Sequence, residues 1–172
     1  ICEDIWHEAP AEAAKAAGAQ VLINLNASPF HRGKQAERIA RVSGMAKRHT
    51  MPILYVNQVG GQDELVFDGG SFAVDARGEV CVTAESFEEA FAPVALDMDA
   101  DGLLMPGTVA SPMEDLEAVW QALVLGLRDY INKNEFPGVV LGLSGGIDSA
   151  VTLAVASDAL GPDRVEAVMM PF

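Results

Sequence analysis

The 172 residues are poor in cysteine and basic side chains and have no long apolar run. Two cysteines, Cys2 and Cys81, with no dense spacing between them exclude a disulfide framework. Eleven Lys and Arg against 25 Asp and Glu give a formal net charge of −14, which argues against a nucleic-acid or anionic-membrane partner. No apolar stretch reaches the roughly 18 residues of a membrane span, so a cytoplasmic setting is expected. The histidines, His7, His31 and His49, lack metal-ligand spacing and read as surface residues. No repeat or low-complexity tract interrupts a chain whose 50% hydrophobic content is ample for a core. It starts without Met and ends just after a new strand pattern, so a piece of a longer protein, cut through two domains, is expected.

What the chain does contain is organised around Val139 to Ala150. Val139–Leu143 is a β-branched apolar run that suits a buried parallel strand. Val151, Val155 and Leu160 then follow a helical period that stops at Gly161-Pro162. Between them, Ser144-Gly145-Gly146 lets backbone N–H groups approach an anion at the positive end of that helix. A phosphate is the expected ligand.

Further absences sort the kinds of phosphate loop. No Lys follows the glycines, so γ-phosphoryl transfer of the Walker type is disfavoured. Gly142, Gly145 and Gly146 miss the dinucleotide G-x-G-x-x-G spacing. Gly142-Leu143-Ser144-Gly145-Gly146 fits the G-x-S-x-G elbow of a serine hydrolase. That triad needs a His after the serine, and all three lie before it. An ordinary glycine-rich strand–helix turn is the third reading. Ser144-Gly145-Gly146-Ile147-Asp148-Ser149 resembles the pyrophosphate loop of the ATP pyrophosphatase superfamily. The resemblance implies that Gly142 to Ser149, including Leu143 and Ile147, bind ATP. It further implies that Ser144, Ser149 and the loop amides hold its β- and γ-phosphates and that Asp148 helps hold Mg²⁺.

At the other end, Ile1-Cys2-Glu3-Asp4-Ile5-Trp6 reads as a strand end before a helix from about Pro10 to Ala17, with Gly18 as its stop. A thiol at such a junction is favoured as thiolate by helix-terminal amides and opposed by Glu3 and Asp4. A buried inert cysteine and a Cys2–His7 pair are the alternatives. Ile-Cys-Glu-Asp-Ile-Trp resembles the nucleophile segment of nitrilase-like amidases, in particular the glutaminase domain of glutamine-dependent NAD synthetases. The likeness continues through Asn24 to Lys34 and Tyr55 to Ser71.

The resemblance implies that Cys2 attacks the glutamine amide carbon, Trp6 walls the glutamine pocket, and Ser28 and Lys34 hold the α-amino and α-carboxylate groups. Lys34 replaces an arginine of some relatives, so a bidentate clamp becomes a point charge. The family's general-base glutamate and oxyanion lysine precede the nucleophile, so these 172 residues alone are expected to lack glutaminase activity. The polar Gln58–Ser71 loop is expected near the active site. The implied substrates are glutamine, deamido-NAD and ATP, with Mg²⁺; a homo-oligomer is expected.

The remaining pattern supplies the frame. Val21–Leu25 and Pro52–Val56 read as strands, and Lys34 to His49 as a helix with Ile39, Val42, Met45 and Ala46 on its apolar face. Arg32, Arg38, Arg41, Lys47 and Arg48 read as a solvated basic face. Ser71–Asp75 and Glu79–Thr83 flank the hairpin turn Asp75-Ala76-Arg77-Gly78, with Cys81 structural. Asp97 to Gly102 matches half of an EF-hand loop, but position twelve is Thr108; a solvated acidic linker is the better reading.

Ser111, Pro112 and Glu114 form a helix start, followed by an apolar stripe of Leu116, Val119, Trp120, Leu123, Leu127, Tyr130 and Ile131. A strand is expected over Arg164–Met170. The implied fold is α/β: residues 1–96 are the C-terminal part of a nitrilase-like αββα sandwich, 97–111 a linker, and 112–172 the start of a Rossmann-like adenine nucleotide alpha hydrolase domain. Other adenylating glutamine amidotransferases share only the Ser144–Ser149 likeness, and a non-catalytic relative retaining both motifs is the remaining alternative.

Overall fold

The computed structural model describes residues 1–97, 103–104 and 106–170. Most of the Asp97–Gly102 calcium reading lies outside them. By contacts the chain divides into two compact units, Ile1–Val59 with Phe67–Met113, and Gly60–Val66 with Glu114–Phe172.

In the first unit Leu22–Asn26 (β1), Ile53–Asn57 (β2), Phe72–Val74 (β5) and Val80–Thr83 (β6) form a four-stranded sheet in that order. β1 (Leu22–Asn26) runs parallel to β2 (Ile53–Asn57), with Asn24 opposite Tyr55 and Asn26 opposite Asn57. The parallel pair requires a crossover, which α2 (Lys34–His49) supplies. β5 (Phe72–Val74) and β6 (Val80–Thr83) complete the sheet antiparallel. Helices α1 (Glu8–Ala16) and α2 cover one face, where Ala11, Val42, Met45 and Ala46 pack on Ile53, Tyr55, Phe72 and Val74. On the other face Ala73, Cys81 and Val82 pack with Leu54, Val94 and Leu96.

Several expectations change here. Cys2–Trp6 is a 3-10 turn rather than a strand end. In β1 the apolar Ile23 and Leu25 are 59% and 55% exposed, whereas Asn24 and Asn26 are buried. The inversion is stable because the amides satisfy each other: Asn24 Nδ2 donates to Asn26 Oδ1 at 2.6 Å, and Asn26 Nδ2 donates to Asn24 O at 2.7 Å. The Gln58–Ser71 segment is not an open loop but contains two paired strands, β3 (Val59–Gln62) and β4 (Leu65–Asp68). Leu96–Asp97 (β7) pairs antiparallel with Leu103–Leu104 (β8).

The β5–β6 turn forms as expected, tightened by a buried carboxylate. Asp75 accepts from the Arg77 and Glu79 amides at 2.8 and 3.0 Å and from Arg77 Nε at 3.2 Å. Burial alone would raise its pKa. The two amides and Arg77 outweigh that and hold the carboxyl below its ordinary 3.8. The stability this contributes is therefore full above that ordinary value and is lost as pH falls through the lower folded one. Asp75→Asn should cost about 1–2 kcal/mol at neutral pH by urea denaturation, a difference that shrinks in strong acid. A deficit unchanged with pH would contradict this.

In the second unit β9 (Val139–Leu143) and β10 (Val165–Met169) pair in parallel, joined by α4 (Ile147–Leu160). β9 is less buried than its composition implies, with Val140 68% exposed. Helix α3 (Asp115–Lys133) begins after the expected Ser111 cap. Glu114 is its extended N-cap residue, and Asp115 and Glu117 complement the helix dipole in the first turn. Its buried side chains are Ala122, Val124, Leu125 and Ile131, while Leu116, Leu123 and Tyr130 of the expected stripe are exposed. Val124 packs with Val155 and Ala159 of α4, flanked by Trp120 and Leu127. Gly61 joins this unit: its amide donates to Asp129 Oδ2 at 2.7 Å, and its carbonyl accepts from Lys133 Nζ at 2.6 Å. Among the described residues no helix is long and apolar enough to cross a membrane.

Candidate active site

Cys2 opens the 3-10 turn with φ of 48°, a left-handed conformation that a residue with a β-carbon adopts at a cost. It is a free, half-buried thiol. Arg41 fixes the far end of the turn, donating to the Ile5 carbonyl at 3.4 Å and also to that of Trp6. Lys34 Nζ sits 4.4 Å from the Trp6 ring centroid and 2.9 Å from Glu37 Oε2. Two predicted glutamine contacts thus meet as a cation on an aromatic face.

Ser28 is held at three points. Its amide donates to Asn57 Oδ1 at 2.9 Å, its carbonyl accepts from Arg38 Nη2 at 2.8 Å, and its Oγ accepts from Arg38 Nε at 3.2 Å. Arg38 is fully buried and donates from Nη1 to both oxygens of Asp68, at 2.8 and 2.9 Å. The solvated basic face is therefore corrected: Arg38 is inside and Arg41 is partly inside. A buried guanidinium persists because a bidentate carboxylate and backbone oxygens replace its water.

The pattern that could have found Arg38 is its place on the apolar stripe, four residues before Val42 and seven before Met45. Asp68, Asn57 and Tyr55 were also missed. Tyr55, 1% exposed and stacked on Phe72, has a hydroxyl with no hydrogen-bond partner among the described residues. Burial pushes its phenol up; nearby Ser28 and Arg38 oppose this, and Cys2 and Asp68 add to it. His7 is exposed, 3.9 Å from Glu3, and makes no hydrogen bond to Cys2 among the described residues.

The second unit carries the glycine loop. Gly145 has φ of 82°, and Gly146 caps α4 with extended backbone. Nothing lies within 4 Å of a β-carbon built on Gly145, so backbone conformation and not crowding favours glycine there. Ser144 Oγ lies 3.3 Å from Ser149 Oγ, which donates to the Gly146 carbonyl at 2.9 Å. Both hydroxyls thus stand at the mouth of the helix N-terminus. Asp148 is exposed in the first turn. Among the described residues no group of three His, Cys, Asp or Glu could hold a metal. One carboxylate suits Mg²⁺ carried in with phosphate oxygens, the usual way that ion binds nucleotides.

A family model for carbon-nitrogen hydrolases matches residues 1–101. The chain belongs to the carbon-nitrogen hydrolase family. Beyond that match the chain continues into a second one, NAD synthase, over residues 119–172. It is 47% identical over 99% of its length to a glutamine-dependent NAD(+) synthetase of Rhodobacter capsulatus and 41% identical over its full length to one of Acinetobacter baylyi. The chain spans about a third of those relatives, 31% and 32%. A structure of the Acinetobacter baumannii enzyme in complex with ADP superposes with a TM-score of 0.94 at 44% identity, covering 99% of this chain and 32% of that one. The nitrilase-like assignment of the first part and the NAD synthase start of the second agree with the resemblance read from Cys2–Trp6 and Ser144–Ser149.

Proposed function

We propose that the complete protein is a glutamine-dependent NAD⁺ synthetase, a carbon–nitrogen ligase, and that these residues span its two reactive centres. The observation that carries this reading is the 47% identity to such an enzyme over 99% of the chain, a span that takes in both matched family models. The segments 1–96, 97–111 and 112–172 are assigned as amidase, linker and synthetase. The strained Cys2 turn presents its sulfur to the amide carbon of glutamine; the S–C bond forms as the C–N bond breaks, the thiol proton passes to the leaving nitrogen to give ammonia, and water then hydrolyses the glutamyl thioester to glutamate and restores the thiol. Lys34 on Trp6, with the anchored Ser28, holds the α-amino and α-carboxylate end.

In the synthetase part, the loop amides and the Ser144 and Ser149 hydroxyls hold the β- and γ-phosphates of ATP. The carboxylate of deamido-NAD attacks the α-phosphorus, pyrophosphate leaves, and ammonia displaces AMP. Mg²⁺ held with Asp148 would neutralise phosphate charge. The matched relatives are glutamine-dependent NAD(+) synthetases, which does not favour the serine-hydrolase reading of Ser144. The test is product analysis on the complete chain: AMP and pyrophosphate should form with NAD, and only when deamido-NAD is supplied.

A further inference from the structure

Resting on the glutaminase reading of Cys2, we propose that Arg38, fixed by Asp68, is a positioning residue that presents Ser28 to glutamine. Its guanidinium has five N–H donors in a rigid fork. Nε serves Ser28 Oγ at 3.2 Å; Nη2 serves the Ser28 and Pro29 carbonyls at 2.8 and 3.0 Å; Nη1 serves Asp68 and the Gln35 side chain at 3.2 Å. All three nitrogens are used, and Ser28 and Pro29 account for three of the contacts.

The chemical consequence lies in the direction of the Ser28 proton. An Oγ that accepts from a guanidinium keeps its own hydrogen free to donate to an acceptor on the substrate. Asn57 completes the frame, accepting from the Ser28 amide at 2.9 Å and donating to the Gly69 carbonyl at 3.1 Å. Asp68 makes this geometry possible, because a guanidinium without a counter-charge would not stay in this site at 0% exposure. A lysine here would keep the charge but could not serve Ser28 Oγ, two carbonyls and Asp68 at once.

The test uses the complete protein with Arg38→Lys and Asp68→Asn, following glutamine hydrolysis; ammonium-driven NAD formation normalises for folded enzyme. Arg38→Lys should raise the KM for glutamine by about tenfold or more, with kcat at saturating glutamine within about threefold of wild type. Asp68→Asn should move KM the same way, since Arg38 is then unfixed. An unchanged KM in both variants, or a loss of kcat at constant KM, overturns the proposal, because a purely structural role lowers the active fraction without changing affinity. If the wild-type protein does not hydrolyse glutamine through Cys2, the underlying reading fails. If it does and Arg38→Lys keeps its KM, only this proposal fails.

Discussion

Cys2→Ala in the complete protein should lower glutamine-driven NAD formation by at least about a thousandfold while leaving ammonium-driven formation close to wild type. The size of the effect follows from the kind of group removed. An alanine methyl cannot form the thioester, and among the described residues the near neighbours offer no substitute: Glu3 and Asp4 are exposed, and His7 lies 3.9 Å from Glu3. The asymmetry between nitrogen sources follows from the separation of roles, because the Ser144–Ser149 loop lies in a different unit and makes no use of the thiol. Parallel losses with glutamine and with ammonium would show that Cys2 supports the fold or the synthetase step instead. Intact protein mass after treatment with an alkylating glutamine analogue supplies a second reading, with a single adduct expected on wild type and none on the variant.

Asp148→Asn should do the reverse. Asp148 stands in the first turn of α4, one residue before Ser149, and in the proposed phosphate site it would be the negative charge among N–H and O–H donors. Replacing it with an amide keeps the shape and removes the charge that would hold Mg²⁺ against the phosphates. NAD formation from either nitrogen source should fall on the order of a hundredfold, with the Mg²⁺ requirement shifted upward, because stabilisation of transferring phosphoryl charge is worth that much per lost group. Glutamine hydrolysis measured alone should persist. Synthetase activity equal to wild type would remove Asp148 from its assigned role.

Much of this was legible because the sites are continuous in sequence. Cys2–Trp6 forms one 3-10 turn ahead of α1, and Ser144–Ser149 runs from the loop into the first turn of α4, so each proposed site could be read from residue order alone. Helix α2 was also legible to its ends, since Lys34–His49 keeps one apolar period throughout. What composition hid was polarity turned inward. Asn24 and Asn26 lie within an apolar run yet face the interior, where the amides bond to each other. Arg38 looked like one charge among several, and its burial depends on Asp68, thirty residues away, which nothing local announces. The α3 stripe holds at Trp120, Leu127 and Ile131 but not at Leu123, for a related reason: period marks the apolar side chains but not which of them a neighbour covers, and α4 meets Val124 rather than Leu123.

The most direct measurement is the isotope balance of the complete protein given Mg-ATP, deamido-NAD and glutamine labelled with ¹⁵N in its amide. The account predicts label in the carboxamide of NAD, one AMP and one pyrophosphate per NAD, and neither nucleotide product when deamido-NAD is omitted. ADP as the nucleotide product, or AMP formed without deamido-NAD, would contradict it.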